Sequence, residues 1–204
     1  MQTRYPIVEI FESLQGEGFN TGMPAVFLRF GKCNLACPWC DTDYHTFQQF
    51  TLQQIAEKVA RFSSKNLIIT GGEPTIQPNL RKLLTYFKQQ GYFIAIETNG
   101  LKEVPPQIDY IATSPKRLYQ EKYLQRCIAF ADEVRIVNDE PDIIAFCQMI
   151  AGKIQAEHYY LSPCERNGEM NLLDTLQKIG QLNALSAKPK WQLSLQTHKL
   201  VGIE

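Results

Sequence analysis

Asn66-Leu67-Ile68-Ile69-Thr70-Gly71-Gly72-Glu73 is the stretch on which the fold turns. A short apolar, β-branched run closed by Gly-Gly reads as a strand buried on both faces. Upstream, Thr51-Leu52-Gln53-Gln54 has the form of a capping box, and Leu52, Ile55, Ala56, Val59 and Ala60 keep a helical period behind it. Downstream, Leu80, Leu83, Leu84 and Phe87 mark a second helix, stopped by Gly91, and residues 92–97 are a second strand. The alternation continues outward. Strands are expected at 26–30, 110–113, 133–137, 159–162 and 191–196. Helices are expected at 119–130, at 172–182, and behind Pro141, where Ile143, Phe146, Cys147 and Ile150 share one face. Strands alternating with helices predict an α/β protein with a mostly parallel sheet and helices outside it.

The chain has 204 residues, 44% hydrophobic and 21% charged, with no repeat, low-complexity tract or Pro/Gly linker, so residues 1–204 are expected to form a single domain. Lys plus Arg number 21 and Asp plus Glu 21. Zero net charge argues against a surface built to neutralise phosphates, so neither a nucleic acid nor a membrane is expected as partner. No apolar run approaches the length of a spanning helix and Met1–Pro6 has no signal-like core, so a cytoplasmic location is expected.

The unusual residues gather at the carboxyl ends of the expected strands, the edge where parallel α/β folds bind ligands. They are Arg29 with the cysteines, Gly71-Gly72-Glu73, Glu97-Thr98-Asn99-Gly100, Ser114-Pro115-Lys116, Ser162-Pro163 and Gln196-Thr197-His198-Lys199. Of the six cysteines, Cys33, Cys37 and Cys40 lie within eight residues in a C-x₃-C-x₂-C arrangement, while Cys127, Cys147 and Cys164 stand alone. Three thiolates suit a soft metal. A zinc site completed by His45 is one assignment; a 4Fe–4S cluster with one iron left open for chemistry is the other. Cys147, on an apolar helix stripe, is read as a core thiol, and Cys127 similarly.

The cysteine triplet, with an aromatic before its last member and Gly71-Gly72-Glu73-Pro74 at the end of the next strand, resembles the radical S-adenosylmethionine (SAM) superfamily. Leu14-Gln15-Gly16-Glu17-Gly18, Arg29-Phe30-Gly31-x-Cys33, Cys40-Asp41-Thr42 and Ser194-Leu195-Gln196-Thr197-His198-Lys199 extend the resemblance from residue 5 to 204 and narrow it to the 7-carboxy-7-deazaguanine synthase family. That resemblance implies a reduced, irregular (β/α) partial barrel, because the chain is shorter than a full eight-fold barrel. It also implies a 4Fe–4S cluster held by Cys33, Cys37 and Cys40, with SAM chelating the open iron and yielding a 5′-deoxyadenosyl radical. The implied reaction converts 6-carboxy-5,6,7,8-tetrahydropterin to 7-carboxy-7-deazaguanine, with C6 hydrogen abstraction, radical ring contraction and loss of ammonia, for queuosine synthesis. A homodimer and an electron donor such as flavodoxin come with it. A glycyl-radical activating enzyme and a non-catalytic iron–sulfur or zinc protein are the rival readings.

The resemblance assigns Gly72, Glu73, Ser114, Pro115, Lys116 and Ser162 to SAM, with Tyr160 and Cys164 at the margin. It assigns Leu14, Gln15, Gly16, Arg29, Thr70, Gln196, His198 and the main chain of Glu204 to the pterin, and the Thr42 hydroxyl to Mg²⁺, with Asp41 behind it. The residues fit those roles by chemistry. Gly71 and Gly72 lack Cβ atoms, so their carbonyls can approach an ammonium closely. Arg29 shares a strand face with Phe27 and is suited to clamp a carboxylate bidentately; a structural ion pair with Glu12 or Glu17 is the competing assignment. Gln192, Ser194, Gln196 and His198 form a polar row along the last expected strand, fitting either a ligand face or a solvated edge. The terminus is read either as closing the pocket or as a frayed tail.

Overall fold

The computed structural model describes residues 3–40, 42–139, 142–166 and 168–203. One sheet of nine strands runs through it. In chain order the elements are β1 (Arg4–Leu14), β2 (Pro24–Phe30), β3 (Gln48–Thr51), α1 (Leu52–Val59), β4 (Asn66–Gly71), α2 (Leu80–Gln89), β5 (Phe93–Thr98) and β6 (Tyr110–Thr113). Then come α3 (Gln120–Gln125), β7 (Glu133–Asn138), α4 (Ile143–Ala151), β8 (His158–Pro163), the short pair β9 (Glu165–Arg166) and β10 (Glu169–Met170), α5 (Leu172–Leu185), β11 (Trp191–Leu193) and α6 (Thr197–Val201).

The sheet order is β11-β8-β7-β6-β5-β4-β2-β1-β3. Every pair from β2 to β11 is parallel, and β1 is antiparallel to both β2 and β3. The two edges, β3 and β11, do not pair with each other, so the barrel is partial.

Strand periodicity divides the core. On β2, Val26, Leu28 and Phe30 face outward and are fully buried with Ile55, Val59, Leu67, Ile69, Leu83, Leu84 and Phe87 beneath α1 and α2. Each such side chain stabilises the fold by roughly 1.5–3 kcal/mol. Val134, Ile136 and Leu161 do the same beneath α3, α4 and α5, where Cys147 is fully buried and Cys127 packs alongside. The opposite residues point into the barrel: Ala25, Phe27, Ile68 and Ala95 make a small apolar base, with Phe11 stacked on Phe27 at 5.1 Å. The capping box forms as expected, with Gln54 N–H donating to Thr51 Oγ1 at 3.2 Å and Thr51 N–H to Gln54 Oε1 at 2.9 Å.

Three elements depart from the sequence reading. The pair β1 and β3 was not expected: Pro6 and the bulge between Ile7 and Glu9 blur the alternation of β1. The helix expected at 119–130 ends at Gln125, because Arg126 turns extended and Ile128 N–H is drawn to Gly100 O at 2.8 Å. The last strand ends at Leu193, not 196. Beyond it Thr197 N–H donates to Gly16 O at 2.9 Å, which pulls the chain away from β8 and into α6. The polar row is therefore not a strand face: Gln192 is exposed and Ser194 is buried. Pro141 lies outside the described residues.

Candidate active site

A cavity of ≈ 620 Å³ opens at the carboxyl edge of the sheet. Its rim carries Cys33, Cys37 and Cys40, all free thiols. The cysteine loop is fastened to the end of β4 by main-chain bonds: Gly72 N–H donates to Phe30 O and Glu73 N–H to Lys32 O, each at 2.9 Å. This close approach explains the glycines. Gly71 has φ 119°, and a Cβ on Gly72 would stand 2.0 Å from the Lys32 carbonyl oxygen. Glu73 is fully buried. Its carboxylate accepts from Thr75 N–H at 3.0 Å, Thr98 Oγ1 at 2.7 Å and Asn99 N–H at 2.7 Å, bracing that turn from beneath rather than facing the cavity.

The loop's other side is held by Ala36 N–H to Tyr119 Oη at 2.9 Å and Trp39 Nε1 to Asp139 Oδ2 at 3.2 Å. Burial pushes the Cys33 and Cys37 thiols up. Thiolate there requires compensating cations, as a bound iron–sulfur cluster supplies. Among the described residues no three His, Cys, Asp or Glu side chains are gathered tightly enough to hold a single metal ion. Three soft thiol donors lining one cavity are the donor set that a 4Fe–4S cluster with one open iron takes.

The inner wall is a ring of polar residues one layer above the apolar base. Arg29 on β2 is in register with Thr70 on β4; the register continues through Glu97 on β5 to Glu133 on β7, and Arg135, two residues further along β7, reaches back to Glu97 with its side chain. Arg29 Nε lies 2.6 Å from Glu9 Oε1, Nη1 donates to Thr42 Oγ1 at 3.4 Å, and the guanidinium lies over the Phe11 ring at 5.5 Å. The ion pair is thus with Glu9. Glu12 accepts instead from Ser64 N–H, and Glu17 pairs with Arg135. Thr70 Oγ1 donates to Glu97 Oε2 at 2.8 Å and Gln15 Nε2 to Glu97 Oε1 at 3.0 Å. Burial alone would raise the Glu97 carboxyl, but Arg135 at 2.7 Å, with those two donors, outweighs it and holds the group down at about 2.

The turn between β1 and β2 makes the floor. Phe19 stacks on His158 at 4.2 Å at the start of β8, which swings Gln15, Gly16 and Glu17 under the cavity. Glu17 Oε1 accepts from Gln196 Nε2 at 2.8 Å, and the His198 ring packs against Gly16. Opposite Arg29, Lys116 Nζ donates to Ser114 Oγ at 2.7 Å and lies 5.1 Å from the Trp39 ring centre. Burial pulls this lysine below its ordinary range.

Of the residues expected from sequence, Leu14, Gln15, Gly16, Arg29, Thr70, Gln196 and His198 line the cavity, as do Gly72, Ser114, Lys116, the three cysteines and Thr42. Glu73, Pro115 and Ser162 do not, and Ser162 and Cys164 are buried beside it. Asp41 and Glu204 lie outside the described residues. The sequence reading gave Glu97 a strand-end place but no role, offered Glu17 only as a partner for Arg29, and passed over Arg135. Their signal is Glu133-Val134-Arg135: two charges at period two on one face of an otherwise apolar strand.

Residues 28–120 match the radical SAM superfamily. Over its length the chain is similar to the 7-carboxy-7-deazaguanine synthase of Haemophilus influenzae, 67% identical over 203 residues covering 100% of this chain and 96% of the relative. It is also similar to that of Neisseria meningitidis serogroup B, 61% identical over 202 residues, covering 98% and 95%. Among solved structures it resembles the crystal structure of QueE from Escherichia coli, with TM-score 0.74, 26% identity, and 96% of this chain and 95% of that one covered.

Proposed function

The chain belongs to the 7-carboxy-7-deazaguanine synthase family of the radical SAM superfamily, and from that premise we propose how its cavity carries out the family's reaction. The protein is a radical SAM lyase with 7-carboxy-7-deazaguanine synthase activity, acting in queuosine precursor biosynthesis. The rival glycyl-radical activating and non-catalytic readings fall with that membership. A 4Fe–4S cluster and SAM come with the family and, when bound, supply the one-electron chemistry that opens the reaction.

The rest is assigned to this chain's own residues. Cys33, Cys37 and Cys40 hold the cluster. Gly72, Ser114 and Lys116 border the space beside it and bind SAM, with Glu73, Pro115 and Ser162 shaping the turns that carry them. Arg29 takes the carboxylate of 6-carboxy-5,6,7,8-tetrahydropterin through its terminal nitrogens while Glu9 fixes Nε. Thr42, within reach of Arg29, contributes its hydroxyl to a Mg²⁺ that also meets substrate oxygens. Thr70, Gln15, Glu97 and Gln196 present hydrogen-bonding groups to the ring, and Leu14, Gly16 and His198 close over it with the main chain of Glu204. Residues 1–204 act as one domain, paired as a homodimer and reduced by a donor such as flavodoxin.

One observation carries this reading of the site: a single cavity joins three free thiols, an arginine and the carboxylates of Glu17 and Glu97. The test is anaerobic incubation with SAM, reductant, Mg²⁺ and the carboxytetrahydropterin. Release of ammonia and a product with the mass of 7-carboxy-7-deazaguanine is expected; SAM cleavage without that product overturns the substrate assignment.

A further inference from the structure

Arg135 is the most heavily engaged ionisable side chain at the cavity, and nothing in the reaction as described uses it. It projects from the inner face of β7 and is 5% exposed. Its three nitrogens each meet a different carboxylate: Nε lies 2.9 Å from Glu133 Oε1, Nη1 3.0 Å from Glu17 Oε2 and Nη2 2.7 Å from Glu97 Oε1. The three partners are not alike. Glu133 is buried behind the arginine, and its Oε2 accepts from Phe19 N–H at 2.8 Å and Tyr110 Oη at 2.9 Å, so it anchors the guanidinium from the rear. Glu97 and Glu17 stand in front, on the cavity, and come from β5 and the β1–β2 turn, 80 residues apart in sequence.

We propose that Arg135 is a positioning residue for substrate recognition: its planar fork holds Glu97 and Glu17 in fixed orientation as paired anionic acceptors for the N–H-rich edge of the substrate ring. This rests on the pterin reading above. A 2-amino-4-oxopyrimidine ring presents adjacent N–H donors, and carboxylates accept from such a row without contributing a competing donor. Lysine would not do the same work, because a point charge lacks the two directed terminal nitrogens that donate here to Glu17 and Glu97. The ionisable groups around Glu97 are Arg135 and Glu133 on β7, Glu17 below, Arg29 on β2, Lys116 beyond β6 and His198 on α6. Without Arg135, burial raises Glu97 and only the Gln15 and Thr70 hydrogen bonds still oppose it. Its protonated form then accumulates as pH falls, and the affinity resting on its anion is lost in the same direction.

The experiment is equilibrium titration of cluster-loaded protein with the carboxytetrahydropterin, and separately with SAM, between about pH 5 and 8. The proteins are wild type, Arg135→Gln, Arg135→Lys and Glu97→Gln. Arg135→Gln should weaken the pterin by about thirty-fold or more at neutral pH, worsening as pH falls, with SAM affinity held within about two-fold. Arg135→Lys should restore a flat pH profile but only part of the affinity, and Glu97→Gln should be weak at every pH. Wild-type pterin affinity in Arg135→Gln, or parallel loss of pterin and SAM, overturns the proposal in favour of a purely structural network. If Arg135→Gln does not fold, Glu97→Gln decides, since Glu17 and Glu133 still pair the arginine there: undiminished pterin binding overturns the proposal. A wild-type protein that does not bind the pterin overturns the functional reading instead.

Discussion

Replacing Arg29 by Ala separates its two roles, because its contacts are unequal. Its Nε is engaged by Glu9 at 2.6 Å, while Nη1 reaches Thr42 only at 3.4 Å. Losing the Glu9 pair costs little, since the two side chains are 25% and 40% exposed and such pairs are worth no more than about 1 kcal/mol. For a chain of this size that corresponds to a fall in melting temperature of about 2–4 °C. Losing the substrate contact costs more. Truncating one partner of a desolvated, hydrogen-bonded charge pair costs about 2–5 kcal/mol. With a quarter of the arginine exposed, the lower part of that range applies, about 2–3 kcal/mol, or roughly 30- to 150-fold in dissociation constant. The assay is anaerobic titration with the carboxytetrahydropterin and with SAM, beside a thermal melt. The expected pattern is a large loss for the pterin, little change for SAM and a small loss of stability. Arg29→Lys should fall between, keeping charge but losing the fork. Pterin affinity within about three-fold of wild type in Arg29→Ala would refute the clamp and leave Arg29 as Glu9's ion-pair partner.

Four further outcomes are expected. Ala at any one of Cys33, Cys37 or Cys40 should abolish the iron–sulfur absorbance and SAM cleavage, whereas Ala at fully buried Cys147 should lower stability and leave iron content unchanged; iron loss in the latter would reassign a ligand. Thr42→Val keeps shape and removes the hydroxyl, so turnover should fall and no longer respond to Mg²⁺; undiminished Mg²⁺ activation would move the ion elsewhere. Gly72→Ala must displace the Lys32 carbonyl from a 2.0 Å contact, a strain of about 1–3 kcal/mol that should appear as poor cluster loading, and a stable, fully loaded variant would contradict it. A tag fused after Glu204 should weaken the pterin relative to an amino-terminal tag, with iron content equal in the two; equal pterin affinity would take the terminus out of the pocket.

How legible these features were in sequence follows from how local their causes are. The parallel strands β4, β5, β7 and β8 and the helices packed on them announce themselves because each carries its own apolar period and its own stop. The cysteine loop is equally local, eight residues with an unmistakable spacing. By contrast β1 is defined by partners on both sides, and Pro6 within it reads as a breaker when taken alone. The end of β11 is decided by Gly16, some 180 residues away, so no window around Gln196 and His198 could have turned an alternating polar run into α6. Glu97 was visible as a strand-end residue but carried no role until Arg135 was seen beside it. Charge networks assembled from distant segments leave only a trace in each segment, here the pair Glu133 and Arg135 on one strand face.

The same distant contacts explain how an open sheet makes an enclosed site. β3 and β11 share no ladder, so hydrogen bonding between strands does not close this barrel. The β1–β2 turn and the carboxyl-terminal segment close it instead. Gly18 N–H donates to Ser194 Oγ at 3.0 Å, Gln196 to Glu17 at 2.8 Å, and both Thr197 N–H and Oγ1 to Gly16 O. Glu17 then ties this seam to Arg135, and through it to Glu97 and Thr70 on the opposite wall. Closure by side chains differs from closure by a strand ladder in one respect that bears on function. Each bond across the seam ends on a residue that also faces the cavity or on its immediate neighbour, so any loosening of the seam alters the shape and charge of the pocket directly. The short trimmed barrel therefore needs no added strand to join its two edges; it uses polar groups at or beside the cavity wall.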